Sequence, residues 1–265
     1  MKIENETKRL FFGMEVATPW EEEMPKGRVI DAPYRHITLA FLGNVIPKKQ
    51  LFDPPLPDFI IGPAGVCDRL LFLPDKEARV AAAHIQWLIK EELLVQFHKT
   101  LLDWLEDQEY QVDRRELLSH VSLARSPFDK KIWEETFKPL PTYIKAFHLY
   151  ESVGNLTYPS LWQHVFILPF EELEHTADIA FCIRGATFEE LYIHAMLALS
   201  FSCPSFIAYF EPQPALSSLE EVVALLNKNV AAMDADIGIP FKAVSYHAKI
   251  KKVDTLLEWE MIVDV

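Results

Sequence analysis

The chain of 265 residues is predicted to fold as an α+β protein, and three features of the sequence predict this class. Short runs of alternating apolar residues, typical of strands, are interspersed with longer stretches of helical periodicity. Hydrophobic residues make up 50% of the chain and charged residues 25%, as in soluble globular proteins with sizeable cores. The pattern changes near Pro169, so we place two abutting domains at residues 1–168 and 169–265.

The first domain is predicted to combine several strands with one long helix. Residues 90–106 carry apolar side chains at three- and four-residue intervals, as an amphipathic helix requires. The predicted strands are residues 9–16, 36–43, 78–87, 120–125, 143–152 and 161–170. This arrangement is a mixed α+β domain of average size.

The second domain is predicted to begin with one strand, over residues 170–185. Thr187 and Glu190 then match a capping box, which predicts a helix through about Ser200. Residues 217–233 repeat this pattern of a serine cap, early glutamates and an apolar stripe. The tail is predicted to form a hairpin from two alternating strands.

The net charge of −13 is unevenly distributed along the chain. Residues 1–168 carry 20 Lys and Arg against 24 Asp and Glu, whereas residues 169–265 carry 6 against 15. Nucleic-acid binding needs clustered cations, so the second domain is not expected to bind nucleic acid. The negative charge of the second domain suits binding to a basic protein partner or a metal ion. Alternatively, this charge serves only to keep the protein soluble.

The sequence also predicts a cytoplasmic location. The N-terminus has no continuous apolar segment of the kind found in a signal peptide. The most apolar stretch, residues 191–210, is interrupted by His194 and Pro204, which favours a buried helix over a membrane span. The three cysteines are widely spaced and odd in number, as expected for free thiols in a reducing compartment.

Two tripeptides, His36-Ile37-Thr38 and His120-Val121-Ser122, carry the strongest functional pattern. Residues i and i+2 of a strand point to the same face, so each tripeptide presents an imidazole and a hydroxyl to one space. Histidine titrates near neutral pH, so one imidazole can act as a base while another acts as an acid. Two such strands brought together suit acid–base chemistry on a phosphoester. Other histidines are interpreted as ordinary core or surface residues, namely His84, His98, His148, His164 and His194.

The blocks "RLFFGMEV", "HITLAFLG", "HVSLAR" and "LYESVGNLTYPSLWQHVF" resemble the two-histidine (2H) phosphoesterase superfamily, in particular the RNA 2′,3′-cyclic phosphodiesterases of the LigT type. The resemblance covers about residues 8–168. It implies a two-lobed fold of two pseudo-symmetric antiparallel sheets with outer helices, which flank a central cleft. Each lobe contributes one tripeptide to that cleft.

The resemblance also implies a mechanism without a cofactor. It assigns His36 as the general acid and His120 as the base that activates water, although the near symmetry leaves the reverse order open. Thr38 and Ser122 donate hydrogen bonds to the non-bridging phosphate oxygens, where negative charge concentrates. Two further candidates bind the substrate or take structural roles, namely Arg125 and Tyr158.

In the second domain, "EHTADIAF" and "GATFEELYIHAMLALS" resemble the opening of archease, the protein that assists the GTP-dependent RNA ligase of tRNA splicing and RNA repair. The resemblance implies Asp178 and Asp264 as ligands of a divalent cation, and carboxylates on neighbouring strands suit Ca²⁺ or Mg²⁺. His175 and Glu174 either assist or are surface residues. Residues 201–240 are shorter than in that family, with room for one helix but not for further strands.

The function expected from both resemblances is an RNA-end phosphodiesterase coupled to an archease-like module. Tethering raises the effective concentration of two activities at one RNA break. Two alternatives stay open at this point. One is a non-catalytic protein that binds RNA ends and the ligase, and the other is a 2H phosphoesterase for small cyclic or 2′-5′ nucleotides. No membrane partner is expected.

Overall fold

The computed structural model describes residues 6–174, 178–212, 215–245 and 250–265. It has an α+β fold built on antiparallel sheets, so the predicted fold class is confirmed. The chain divides into two compact units. Unit 1 runs to Lys138 and includes Thr142–Phe166, and unit 2 consists of Pro139–Pro141 and Ile167–Val265.

The first sheet contains eight strands, and its order along the main path is β2-β6-β5-β4-β7-β1-β3, with β8 paired to β7. The described strand pairs of this sheet are antiparallel. The strands are β1 (Lys8–Ala17), β2 (Arg28–Val29), β3 (His36–Val45), β4 (Ala64–Leu73), β5 (Val80–Ile89), β6 (His120–Arg125), β7 (Leu140–Glu151) and β8 (Ser160–Val165). Helices α1 (Glu91–Asp107) and α2 (Lys130–Thr136) accompany them, with short 3₁₀ turns at Ala32–Tyr34 and Lys49–Phe52. The strand β4 was not predicted, because Asp68 and Arg69 interrupt its apolar pattern.

Strand β3 contains a β-bulge directly after its histidine tripeptide. Thr38 pairs with Gly13 and Ala40 pairs with Phe12, so Leu39 is an extra residue in the ladder. An extra residue reverses the alternation of faces beyond it. Leu39 and Ala40 therefore both point into the core, and Phe41 returns to the face of the tripeptide, where it is 45% exposed.

Strand β6 contains the same irregularity at the equivalent place. Ser122 pairs with Ala82 and Ala124 pairs with Ala81, so Leu123 is the extra residue. Leu123 and Ala124 are both buried, and the face of the tripeptide is regained at Arg125. The two bulges thus place Phe41 and Arg125 at equivalent positions of the two histidine strands.

Helix α1 supplies apolar cover for the core of unit 1. Its predicted apolar stripe is confirmed, because Leu94, Phe97, Leu101 and Leu105 are buried. His98 is also buried on this helix, and its Nε2 donates to the Leu39 carbonyl at 3.0 Å. His98 thereby satisfies a backbone oxygen at the bulge, which agrees with its interpretation as a structural residue.

Unit 2 contains a five-stranded sheet of order β11-β13-β10-β9, with β12 also paired to β13. Its elements are β9 (Phe170–Leu173), β10 (Ile179–Gly185), α3 (Phe188–Ser202), a 3₁₀ turn at Pro204–Tyr209, α4 (Leu219–Asp236), β11 (Ala243–Ser245), β12 (Ile250–Val253) and β13 (Leu256–Asp264). The prediction of one strand over 170–185 is wrong, because β9 and β10 are separate antiparallel partners.

The helix starts of unit 2 are formed as predicted. The Thr187 hydroxyl accepts from the Glu190 amide at 3.2 Å, and Ser218 accepts from the Glu221 amide at 3.3 Å. Residues 191–200 of α3 are buried in the unit. The helices in the described part of the chain are too short or too polar to cross a bilayer.

Candidate active site

The two predicted histidines lie at the first positions of β3 and β6. These strands are in contact although they lie near opposite ends of the strand order. A positive charge on His120 lowers the pKa of His36, as expected for two histidines on contacting strands. Thr38 is exposed and Ser122 half-buried on the same faces as their histidines.

Both imidazoles are oriented by the same backbone contact. The Nδ1 of His36 donates to the Tyr34 carbonyl at 2.7 Å, and the Nδ1 of His120 donates to the Leu118 carbonyl at 2.7 Å. Each ring is thus held by the carbonyl two residues earlier, which fixes the tautomer with its proton on Nδ1. Within the described chain, neither Nε2 forms a hydrogen bond to protein, so both are available to a ligand.

An aromatic wall surrounds the His36 ring. The ring centroid lies 4.7 Å from Phe11, 5.2 Å from Tyr150 and 5.0 Å from Tyr158, which meets it edge-on. Gly13 allows this packing, because a Cβ there would lie 3.4 Å from both His36 Cδ2 and Tyr150 Cε2. The structure therefore places the predicted substrate-binding residue Tyr158 directly against the first histidine.

The surroundings lower the pKa of both histidines. Burial lowers the pKa of His36 to about 4, against an opposing contribution from the Tyr34 carbonyl. The positive charges of Arg125, His120 and His148 lower it further. Burial also lowers the pKa of His120, with smaller contributions from Arg125 and His84. In the free protein at neutral pH, His36 is therefore a neutral imidazole.

A histidine–carboxylate pair, Glu15–His148, lies behind the His36 wall. His148 Nε2 donates to Glu15 at 3.1 Å, and its Nδ1 contacts the Ser160 hydroxyl at 2.8 Å. That hydroxyl donates to the Trp162 carbonyl at 3.0 Å, so it accepts from Nδ1. The hydrogen bond from His148 lowers the pKa of Glu15.

A second histidine–carboxylate pair, Asp68–His84, lies beside His120. His84 is directly opposite His120 across β5 and β6, and its Nδ1 is 2.5 Å from Asp68. His84 and His148 were interpreted as core or surface residues with satisfied nitrogens, and their hydrogen bonds to Asp68, Glu15 and Ser160 agree with this. Neither is in a tripeptide, and only the strand pairing brings them to the site.

The remaining predicted residue of this site is Arg125. The bulge in β6 places it on the face of His120 and Ser122, and its charge acts on both candidate imidazoles. Without the bulge, strict alternation along the strand would place Arg125 on the opposite face. The structure thus brings together His36, Thr38, His120, Ser122, Arg125 and Tyr158.

The predicted metal ligands of unit 2 lie at the ends of two paired strands. Asp264 is the last residue of β13, and Asp178 directly precedes β10, whose Ile179 pairs with Val263. The Ser245 hydroxyl donates to Asp264 at 3.2 Å. Glu174 is exposed, and His175 lies outside the described residues. Among the described residues, no group of three or more His, Cys, Asp or Glu side chains is placed to hold a metal ion. Two carboxylates alone make an incomplete site.

Comparison with known proteins finds similar solved structures, whereas no family model and no curated protein matches the chain. A phosphoesterase crystal structure is 21% identical, with a TM-score of 0.43 over 61% of this chain and 99% of that chain. E. coli LigT complexed with 3′-AMP is 20% identical, with a TM-score of 0.41 over 61% and 99%. TT0787 of Thermus thermophilus is 17% identical, with a TM-score of 0.43 over 60% and 97%.

Proposed function

We propose that this protein is a phosphodiesterase that opens 2′,3′-cyclic phosphates at RNA ends by two-histidine acid–base catalysis. The observation that carries this proposal is the pair of imidazoles at the starts of β3 and β6. Each is held through Nδ1 by the carbonyl two residues earlier, and its Nε2 forms no hydrogen bond within the described residues. Thr38, Ser122 and Arg125 add two hydroxyl donors and one cation on the same faces.

The proposed reaction needs one neutral and one protonated histidine. The neutral Nε2 takes a proton from water, and the water oxygen forms a bond to phosphorus. The bond from phosphorus to one ribose oxygen breaks, and the protonated Nε2 gives its proton to that oxygen. The product is a phosphomonoester, and the two histidines have exchanged protonation states. Solvent returns them to the starting state.

The burial of the two rings favours one assignment of these roles. Because the aromatic wall holds His36 neutral, with a pKa of about 4, we propose His36 as the base. His120 serves as the acid in this assignment, because the aromatic wall encloses His36 and not His120. Burial lowers the pKa of His120 as well. This order is the reverse of that implied by the family resemblance. Developing charge on the non-bridging oxygens is stabilised by Thr38, Ser122 and the Arg125 guanidinium.

The proposed activity is tested with a short RNA that ends in a 2′,3′-cyclic phosphate, incubated with EDTA present. We expect hydrolysis to a monoester, and chromatography against 2′- and 3′-phosphate standards identifies which ribose oxygen leaves. His36→Ala and His120→Ala each should lose at least about 100-fold in kcat, as expected for removal of an acid or base. Full activity in either variant excludes the mechanism, and His164→Ala is the control.

The assignment of acid and base is tested with a leaving group that needs no proton. A nucleoside p-nitrophenyl phosphodiester releases a stable phenolate, so loss of the general acid has little effect on its hydrolysis. We expect His120→Ala to keep much more of its activity on this ester than His36→Ala does. The opposite result reverses the two roles.

We further propose that unit 2 couples the phosphodiesterase to a GTP-dependent RNA ligase through a divalent-cation site at Asp178 and Asp264. Two observations support this proposal, namely the "EHTAD" motif and the positions of Asp178 and Asp264 at the ends of two paired strands. A third ligand is needed for a stable oxygen-rich site. The test measures ligase guanylylation with the wild type and with Asp178→Ala. Equal stimulation by both excludes the metal site, and no stimulation by either excludes the coupling.

A further inference from the structure

A row of three basic side chains crosses three neighbouring strands of unit 1 and begins at the candidate site. His120 on β6 lies directly opposite His84 on β5, and His84 lies directly opposite Arg69 on β4. Residues that are directly opposed across antiparallel strands point to the same face of the sheet. His84 and Arg69 therefore share the face of the second histidine tripeptide. We call His120, His84 and Arg69 the basic row.

The two histidines of the basic row are close neighbours. The Ile85 amide donates to the Ser119 carbonyl at 2.8 Å, so these two residues form a hydrogen-bonded pair of the ladder. The next pair, His84 and His120, then has the non-hydrogen-bonded position, where opposed side chains are nearest to each other. The Cβ atoms of such a pair are about 5 Å apart, so a group bound at one imidazole is within reach of the other.

Asp68 orients the other two members of the basic row. It is the extra residue of a bulge in β4, because Cys67 pairs with Ile85 and Arg69 pairs with His84. One carboxylate oxygen contacts the His84 Nδ1 and the other accepts from the Arg69 guanidinium, both at 2.5 Å. Within the described residues, the His84 Nε2 and the remaining Arg69 N–H groups form no hydrogen bond. The Arg69 side chain is exposed and that of His84 is half-buried, so a ligand can reach both.

This arrangement suits a phosphate group next to the one that reacts. Guanidinium and protonated imidazole groups donate strong hydrogen bonds to phosphate oxygens. Both oxygens of Asp68 are already engaged, which reduces their repulsion of an anion. Neighbouring strands are about 4.8 Å apart, so the row extends from His120 in steps of about that length. In a nucleotide with a 2′,3′-cyclic phosphate, the nearest other phosphate is the one on the 5′ oxygen of the same ribose.

We propose that Arg69 and His84, oriented by Asp68, form a second phosphate subsite that binds the 5′-phosphate of the nucleotide with the cyclic end. The inference rests on the proposed function and adds a contact outside the reacting group. With Asp68 at Nδ1 and phosphate at Nε2, both N–H groups of a protonated His84 have an acceptor. In an RNA the 5′-phosphate is the diester that joins the last two nucleotides, and in a free nucleotide it is a monoester.

The test compares two small substrates that differ in one group. They are a nucleoside 2′,3′-cyclic phosphate and the same compound with a 5′-phosphate. We expect the wild type to have at least about tenfold higher kcat/KM for the 5′-phosphorylated substrate through a lower KM, as one charge-assisted hydrogen bond provides. Arg69→Gln should remove most of this preference and keep the kcat of the wild type on both substrates. A dinucleotide with the same cyclic end shows whether the subsite also accepts the diester.

Two matched variants serve as controls. Arg115 is exposed and also contacts a neighbouring aspartate, Asp113 at 2.6 Å, but it lies outside the basic row. Arg115→Gln should therefore keep the full preference. His84→Gln should reduce the preference, whereas His164→Gln should not. Lack of a preference in the wild type, or an unchanged preference in Arg69→Gln, overturns the proposal. Equal losses of kcat on both substrates also overturn it, because they assign the row to the support of catalysis alone.

Binding measurements separate this proposal from the proposed function. If the wild type hydrolyses neither substrate, the proposed function fails. Calorimetry with a nucleoside 3′,5′-bisphosphate and with the nucleoside 3′-monophosphate then tests the subsite alone. Tighter binding of the bisphosphate that is lost in Arg69→Gln and kept in Arg115→Gln supports the subsite. Equal affinity for the two compounds, or no binding of either, overturns it.

Discussion

Replacing His36 with glutamine should make the free energy of unfolding depend less on pH between neutral and mildly acidic conditions. In the folded state, burial lowers the pKa of His36 from 6.5 to about 4. The unfolded chain exposes the ring, so it binds a proton at pH values where the folded chain does not. The contribution of His36 to the free energy of unfolding is therefore fully present above pH 6.5. It falls as the pH drops towards 4 and changes no further below that.

The size of this effect follows from the two pKa values. Between pH 7.5 and pH 5.0, the difference in proton binding amounts to about 2 kcal/mol of unfolding free energy. Glutamine does not titrate. The unfolding free energy of His36→Gln should therefore fall by about 2 kcal/mol less than that of the wild type between pH 7.5 and pH 5.0. The contributions of His98 and His120, whose pKa values are also lowered, are present in both proteins and cancel.

Urea denaturation at pH 7.5 and 5.0 measures the difference, with Thr38→Val as the control on the same face of the same strand. The control should show the pH dependence of the wild type. NMR titration of the imidazole Cε1 proton provides an independent measurement, and the signal absent from His36→Gln should titrate near pH 4. Equal pH dependence in the wild type and His36→Gln, together with titration near 6.5, would refute the argument from burial.

Three further predictions concern other parts of the chain. Gly13→Ala should reduce kcat/KM about tenfold or more without unfolding the protein, because the new Cβ would lie 2.8 Å from the Ile37 carbonyl oxygen and shift the start of β3. Kinetics measures the loss of activity, and circular dichroism checks that the variant is folded. Thr187→Ala should destabilise unit 2 by about 1 kcal/mol through loss of the helix cap, as measured by denaturation. Asp264→Asn should weaken Ca²⁺ binding about tenfold relative to the wild type in calorimetry, and equal heats of binding contradict a role for the Asp178 and Asp264 pair.

The histidine strands were predictable from the sequence because local pattern determines them. The i, i+2 spacing of His36 and Thr38 gives the same face in a strand of almost any twist. The helix caps at Thr187 and Ser218 were predictable for the same reason, since a cap acts within one turn. The α+β class followed from the alternation of these local patterns.

The side chains around the histidines were not predictable, because strand pairing brings them there. His84 reaches His120 only through the register of β5 on β6, and Glu15 reaches His148 across β1 and β7. Arg125 depends on the extra residue Leu123, since strict alternation places it on the opposite face. A one-residue irregularity is invisible in a six-residue apolar pattern.

The near symmetry of the two tripeptides explains why sequence alone leaves the acid and the base interchangeable. Both rings have the same backbone contact at 2.7 Å and the same bulge three residues later. What differs is the environment of each ring. His36 is enclosed by three aromatic rings, whereas His120 faces His84 and its carboxylate. Burial acts on the charged form alone, so the enclosed ring loses its proton first. Two equivalent positions thereby obtain different environments, and the proposed division into acid and base depends on this asymmetry.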